Sequence, residues 1–222
     1  MIIGKGLIAK SLQNIDSEDI VFFASGVSNS LETKFTEFER EFSLLQRSIE
    51  ENKERQIIYF STLSVNDQSK QDSPYVIHKL NIENFIKNNC KKYLIVRIGN
   101  VVGKGGNPNT LFNFLREQIN NASPFVLHNK ATRILIDIDD ISEFLSQHSS
   151  TLTNQTINLS FPYNYSLKEI ISSIEESIEK KAVYKETELG DCYKVDFNDH
   201  TKVFFSEYSS DEYLKKLIQK YY

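Results

Sequence analysis

Apolar residues along this chain follow two rhythms that alternate. Short continuous runs read as buried strands: Ile2-Ile3, Ile20-Val21-Phe22-Phe23-Ala24, Ile57-Ile58-Tyr59-Phe60, Tyr93-Leu94-Ile95-Val96-Arg97, Ile134-Leu135-Ile136 and Thr156 to Phe161. Between them the apolar period lengthens. Leu31, Phe35, Phe38, Phe42, Leu45 and Ile49 recur at three- and four-residue spacing, which predicts a helix over 31–53 with its aromatic stripe mainly in the core. Shorter patterns predict helices over Leu7 to Leu12, 74–89 and 110–120. Ser166 and Glu169 form a capping box that opens a helix running to about Lys181, and a last helix starts near Ser210 with Asp211 and Glu212 in its first turn. A Gly/Asn loop spans Gly99 to Asn109.

Strands alternating with helices predict an α/β protein: a Rossmann-like, mostly parallel sheet with helices on both faces. Elements after about residue 105 are shorter and mixed. The expected organisation is a core over 1–105 and, over 106–222, further core with a small C-terminal substrate-binding lobe, the whole forming one compact unit.

Composition narrows the function classes. Of 222 residues 40% are hydrophobic and 12% aromatic, enough for a sizeable core. The net charge is −4 with both signs scattered, so no basic face for nucleic acid exists. Cys90 and Cys192 stand far apart, and the histidines at 78, 128, 148 and 200 have no ligand spacing. Neither a disulfide scaffold nor a metal site is indicated. His78 is expected to pack or face water, and the acidic run 137–140 is expected to cap a helix through Asp139-Asp140. No apolar run approaches the roughly 20 residues of a membrane helix, and the N-terminus lacks a signal-peptide pattern; the expected location is cytoplasmic.

Three motifs carry chemistry. Gly4-x-Gly6-x-x-Ala9 joins a strand to a helix, where glycines permit a tight turn and close approach of a pyrophosphate to free N–H groups. Tyr75 and Lys79, four apart, share one helix face. An ammonium beside a phenol favours the phenolate, which tunes the tyrosine for proton transfer. Such pairs are common on helix surfaces. Here, however, Ser73 and Pro74 suit the helix start, and Ser61-Thr62 ends the preceding strand with a hydroxyl able to bond a substrate oxygen.

With these residues together, the chain resembles the extended short-chain dehydrogenase/reductases, the NAD(P)-dependent epimerases, dehydratases and reductases of nucleotide sugars. Gly4, Gly6, Leu7 and Ile8 resemble the phosphate loop, and Ala24, Ser25 and Gly26 the strand end that touches the cofactor. The resemblance implies Thr62, Tyr75 and Lys79 as the catalytic set, with Lys79 also holding the nicotinamide ribose. It implies Asn100 and Arg133 beside the substrate, NAD or NADP as cofactor, a nucleotide sugar as small-molecule partner, and a homodimer through helices 31–53 and 74–89. One departure is large. Only Asn14 to Asp19 stand where the family has two further strands, and no carboxylate lies about twenty residues past the glycines to hold an adenosine ribose. Asp16, Glu18 and Asp19 fall too early and are expected to cap or solvate a turn. The expected activity is therefore redox or epimerase chemistry on a nucleotide-linked sugar in surface polysaccharide synthesis. The competing readings are a cofactor-deficient relative that binds sugar nucleotide or a partner enzyme, and an assembly subunit.

Overall fold

The computed structural model describes residues 1–105 and 110–222, so Gly106 to Asn109 of the expected Gly/Asn loop lie outside the described residues. In chain order the elements begin β1 (Ile2–Ile3), α1 (Leu7–Ser11), β2 (Ile20–Phe23), α2 (Phe35–Glu51), β3 (Gln56–Thr62), α3 (Pro74–Asn89), β4 (Tyr93–Ile98), β5 (Asn100–Val102) and α4 (Leu111–Asn120). They continue β6 (Phe125–His128), β7 (Thr132–Arg133), β8 (Leu135–Asp137), α5 (Ile138–His148), β9 (Gln155–Leu159), β10 (Tyr165–Ser166), α6 (Leu167–Ile178), β11 (Tyr184–Thr187), α7 (Asp199–Phe204) and α8 (Ser210–Tyr221). The chain divides into two compact units, Met1–Ile98 with Ile138–Leu159, and Gly99–Asp137 with Ser160–Tyr222.

The first unit is a five-stranded sheet in the order β1-β2-β3-β4-β9, parallel throughout. Val21, Phe23, Ile57, Tyr59 and Ile95 project to one face and pack against Leu45 and Ile49 of α2 and Ile82 and Ile86 of α3. Pleat alternation sends Phe22, Ile58, Phe60, Leu94 and Val96, all buried, to the other face. That face is left to α1 and α5, which pack on each other.

This arrangement has a consequence for handedness. The strands β1 to β4 advance in one direction across the sheet, yet α1 lies on the face opposite α2 and α3. The β1-to-β2 crossover therefore has the opposite hand to the next two. Parallel crossovers are right-handed in about 98% of cases. The anomaly falls where the sequence has too few residues for the family's two extra strands. It leaves β1 as a sheet edge, and the order runs without the reversal at which doubly wound sheets bind ligands.

Two expectations for the first unit need correction. The long helix begins at Phe35, not at residue 31, and Leu31 and Phe35 are 81% and 74% exposed. Local side chains take the backbone donors that a helix start would use: Asn29 Oδ1 accepts from the Leu31 N–H, and Glu32 Oε1 from those of Thr33 and Lys34. Asp139 and Asp140 lie inside the first turn of α5, which starts at Ile138. They complement its dipole there and do not occupy the cap position.

The second unit is built from two-stranded pieces, β5 with β8, β7 with β10 and β6 with β11, and helices α4, α6, α7 and α8. Ser166 and Ser209 each close a complete capping box. Phe161 stacks on Tyr213 at 4.2 Å, with Phe205 edge-on to both. Asp137, fully buried, accepts hydrogen bonds from Tyr221 (2.5 Å) and Lys220 (2.7 Å), and so anchors the end of α8.

Candidate active site

The first unit gathers the candidate phosphate turn and the candidate catalytic residues. Gly4 has φ +134° and its Cα faces the Ala24 carbonyl so closely that a Cβ would sit 2.4 Å from that oxygen. Only glycine fits this turn. Around Gly6 a Cβ would meet nothing within 4 Å, which leaves room for a group to approach the backbone. Leu7 and Ile8 open α1, and both are half-buried.

Thr62 ends β3 and its Oγ1 accepts the Ser64 N–H at 3.1 Å, so the start of the following turn is capped by the candidate catalytic hydroxyl. Tyr75 is the second residue of α3, after Pro74 at the first helical position. Ser73 sits at the N-cap but its hydroxyl makes no cap bond. Among the described residues the Tyr75 hydroxyl has no hydrogen-bond partner. Lys79 Nζ lies 5.7 Å from the Tyr75 ring centroid.

The largest departure from the sequence reading surrounds Lys79. Its side chain is only 2% exposed, and Nζ donates to Glu41 Oε1 and to the Tyr59 hydroxyl, both at 2.9 Å. Tyr59 in turn donates to Glu41 Oε1 at 2.6 Å. Glu41, on α2 and fully buried, also accepts the Val27 N–H at 2.6 Å and contacts His78 Nε2 at 3.0 Å. Burial alone would raise the Glu41 carboxyl. The Lys79 ammonium and the His78, Tyr59 and Val27 hydrogen bonds outweigh it and hold the group at about 2. Burial, then the Glu41 charge, push Tyr59 well above an ordinary phenol, so it serves the cluster as a neutral donor. Lys79 is thus not a free ammonium turned on Tyr75 alone. His78 packs, as expected, stacked on Phe38, and it also contacts the Glu41 carboxylate, which was not foreseen.

The same cluster gives Gly26 a second explanation. A Cβ there would lie 2.7 Å from Lys79 Nζ and 2.9 Å from Glu41 Oε1, so a side chain at this position would crowd the ion pair whatever else approaches it. Ser25 is held by Arg40, which donates to its carbonyl at 3.3 Å. One helical turn beyond Lys79, Glu83 takes a two-pronged contact from Arg97 (2.9 and 2.6 Å) and a bond from Ser61 Oγ at 2.6 Å, which ties α3 to β3 and β4.

Asn100 and Arg133 belong to the second unit. Asn100 Nδ2 donates to the Ile134 carbonyl at 3.3 Å, and Arg133 Nη1 to the Thr132 carbonyl at 2.8 Å. Sequence reasoning missed Glu41, although a signal was there. It stands three residues after Phe38 and four before Leu45, a carboxylate on the apolar stripe of its own helix.

A nicotinamide dinucleotide is a fair fit at one end of this unit. The Gly4–Gly6 turn offers backbone and space for phosphates. The strand before that turn, β1, is the edge of the sheet, and no carboxylate stands about twenty residues past Gly6 to take an adenosine ribose.

No family model matches the chain, and no curated protein matches it in sequence. Solved structures do match in fold. UDP-glucose 4-epimerase of Thermus thermophilus, in complex with NAD, is 14% identical with a TM-score of 0.70 over 91% of this chain and 77% of its own. UDP-glucuronic acid 4-epimerase of Bacillus cereus, in complex with UDP-glucuronic acid and NAD, is 22% identical with a TM-score of 0.72, over 96% and 76%. RMD of Pseudomonas aeruginosa, complexed with NADPH, is 13% identical with a TM-score of 0.69, over 99% and 87%. The chain shares the Rossmann-like fold of these UDP-sugar 4-epimerases.

Proposed function

We propose that the chain is an NAD(P)-dependent oxidoreductase or epimerase acting on a nucleotide-linked sugar, with Tyr75 as its acid/base. The observation that carries this reading is the Tyr75 hydroxyl, without a partner among the described residues at the start of α3, with the Lys79 ammonium fixed 5.7 Å from its ring on a fold shared with such enzymes. A bound nicotinamide would supply or accept the hydride. Tyr75 gives its proton to the sugar oxygen as a carbonyl becomes an alcohol and takes one back in the reverse direction. Thr62 accepts the Ser64 N–H and keeps its own hydroxyl proton to donate to that oxygen. Gly4 and Gly6 admit the phosphates, with Leu7, Ile8, Ala24 and Ser25 framing the turn. Asn100 and Arg133 hold the sugar nucleotide. Surface polysaccharide synthesis in the cytoplasm is the setting this chemistry suits. Exposed Phe35 at the start of α2, with Leu31 just before it, and Ile77 on α3 support a homodimer through these helices.

Tyr75→Phe is expected to lower turnover at least about 100-fold with an unchanged melting temperature. Full activity in a folded variant overturns the assignment.

A second reading has its own observation in its favour. The sheet ends at β1, and Lys79 already has two protein acceptors. A relative that binds sugar nucleotide without redox chemistry fits both facts. Titration with NADH and NADPH, read by nicotinamide fluorescence, separates the two. Saturable binding of either supports the enzyme. Binding of neither, with a UDP-sugar still bound, supports the second reading.

A further inference from the structure

We propose that Glu41 is a positioning residue for the Tyr75/Lys79 pair, the built-in counter-charge that holds the ammonium in place and keeps Tyr75 a phenol. The inference rests on the reading of Tyr75 as acid/base.

The argument starts from charge. A lone ammonium within about 6 Å of a phenol favours the phenolate, and a phenolate has no proton to donate to a carbonyl. Lys79 Nζ is within that distance of the Tyr75 ring. It is met by a carboxylate 2.9 Å away that is itself fully buried. At Tyr75 the two charges therefore act as a short dipole and not as a net positive charge.

The geometry is specific. Each Glu41 oxygen has more than one partner: Oε1 takes Lys79 and Tyr59, and Oε2 takes the Val27 N–H and faces His78. The carboxylate thereby joins α2, α3, β3 and the Gly26-Val27 loop at one point. The titratable and charged groups around this point are Glu41 on α2, Tyr59 on β3, His78, Lys79 and Glu83 on α3, and Arg97 on β4. Glu83 is matched by Arg97, which leaves Glu41 as the counterweight to Lys79. A buried ion pair adds little stability over apolar packing, so stability alone is a weak reason for this cluster to exist.

The test is a titration that does not depend on activity. The phenolate absorbance of Tyr75, isolated by difference from Tyr75→Phe, and the ¹³Cε shift of labelled Lys79 are followed against pH in wild type and Glu41→Gln. Without the carboxylate the pair is expected to lose its first proton at least about 1 pH unit lower than in wild type. If turnover is present, its pH profile moves with it, and Glu41→Asp, which keeps the charge, restores the wild-type midpoint. Unchanged midpoints at both residues in folded Glu41→Gln overturn the proposal.

Should Glu41→Gln not fold, the double variant Glu41→Gln/Lys79→Met, which removes both charges, carries the test. Its Tyr75 midpoint is expected within about half a unit of wild type, whereas a rise of about 1 unit or more shows Lys79 acting unopposed in wild type and overturns the proposal. Loss of the catalytic reading leaves these titrations intact. An active enzyme with unmoved titrations sinks only the role of Glu41.

Discussion

At the scale of single residues, the Glu41 cluster decides what the site can be, and two predictions belong to it. Gly26→Ala places a methyl against Lys79 Nζ and Glu41 Oε1. It should cost about 1–3 kcal/mol of stability by crowding, measured by urea unfolding, with or without any cofactor present. The second prediction concerns acid. Glu41 is depressed from 4.5 to about 2 in the folded chain. A depressed carboxyl stabilises the fold fully above its unfolded value, and that contribution is lost as pH falls from about 4.5 towards 2, on the order of 3 kcal/mol in all. Unfolding free energies measured at about pH 6 and about pH 3 should therefore converge in Glu41→Gln relative to wild type. The candidates Tyr75, Lys79 and Thr62 were legible because their spacing is local, within one helix and at one strand end. The partners that change Lys79 were not, because Tyr59 and Glu41 reach it from β3 and α2, and Val27 braces Glu41 from a loop. The visible clue was chemical: a charge on an otherwise apolar helical stripe at Glu41, repeated at Glu83 between Ile82 and Ile86.

At the scale of elements, helix ends were the most readable feature. Pro74 at the first position of α3, the box Ser166/Glu169 and the acidic first turn Asp211-Glu212 each mark the start of a helix in the structure, the last of them closed also by Ser209. Ser166→Ala and Ser209→Ala should each cost about 1 kcal/mol, read as a lower denaturation midpoint. The start of α2 misled because Leu31 continues the apolar period while Asn29 and Glu32 bond the local backbone instead. Periodicity reports which residues would share a face, not whether the turn that begins the helix forms. In the second unit, the tie between α8 and β8 was invisible in sequence. Asp137 reads as one of an acidic run, yet Lys220 and Tyr221 both reach it. Tyr221→Phe removes one donor from a buried carboxylate and is expected to destabilise by about 1–3 kcal/mol, with the loss seen as earlier hydrogen exchange in α8.

At the scale of the whole molecule, alternation of strands and helices announced a parallel α/β fold, and the short stretch Asn14 to Asp19 announced that two strands are missing from it. What alternation does not encode is hand or chain path. A period tells which face of a strand is buried. It does not tell which side a crossover takes, so the anomalous β1-to-β2 connection follows only from α1 and α2 lying on opposite faces. The path has a further consequence for how the protein comes into being on the ribosome. β1 to β4 are synthesised with α2 and α3 already beside them. The second face has only the five-residue α1 until α5 emerges, after the excursion through Gly99–Asp137. During that interval Phe22, Ile58, Leu94 and Val96 face the nascent chain's surroundings and β4 is an open edge, the two features that invite association. A fragment ending at residue 105 should accordingly bind a hydrophobic dye and aggregate. Joining residues 138–159 to that fragment through a short linker, which supplies α5 and β9, should lower both.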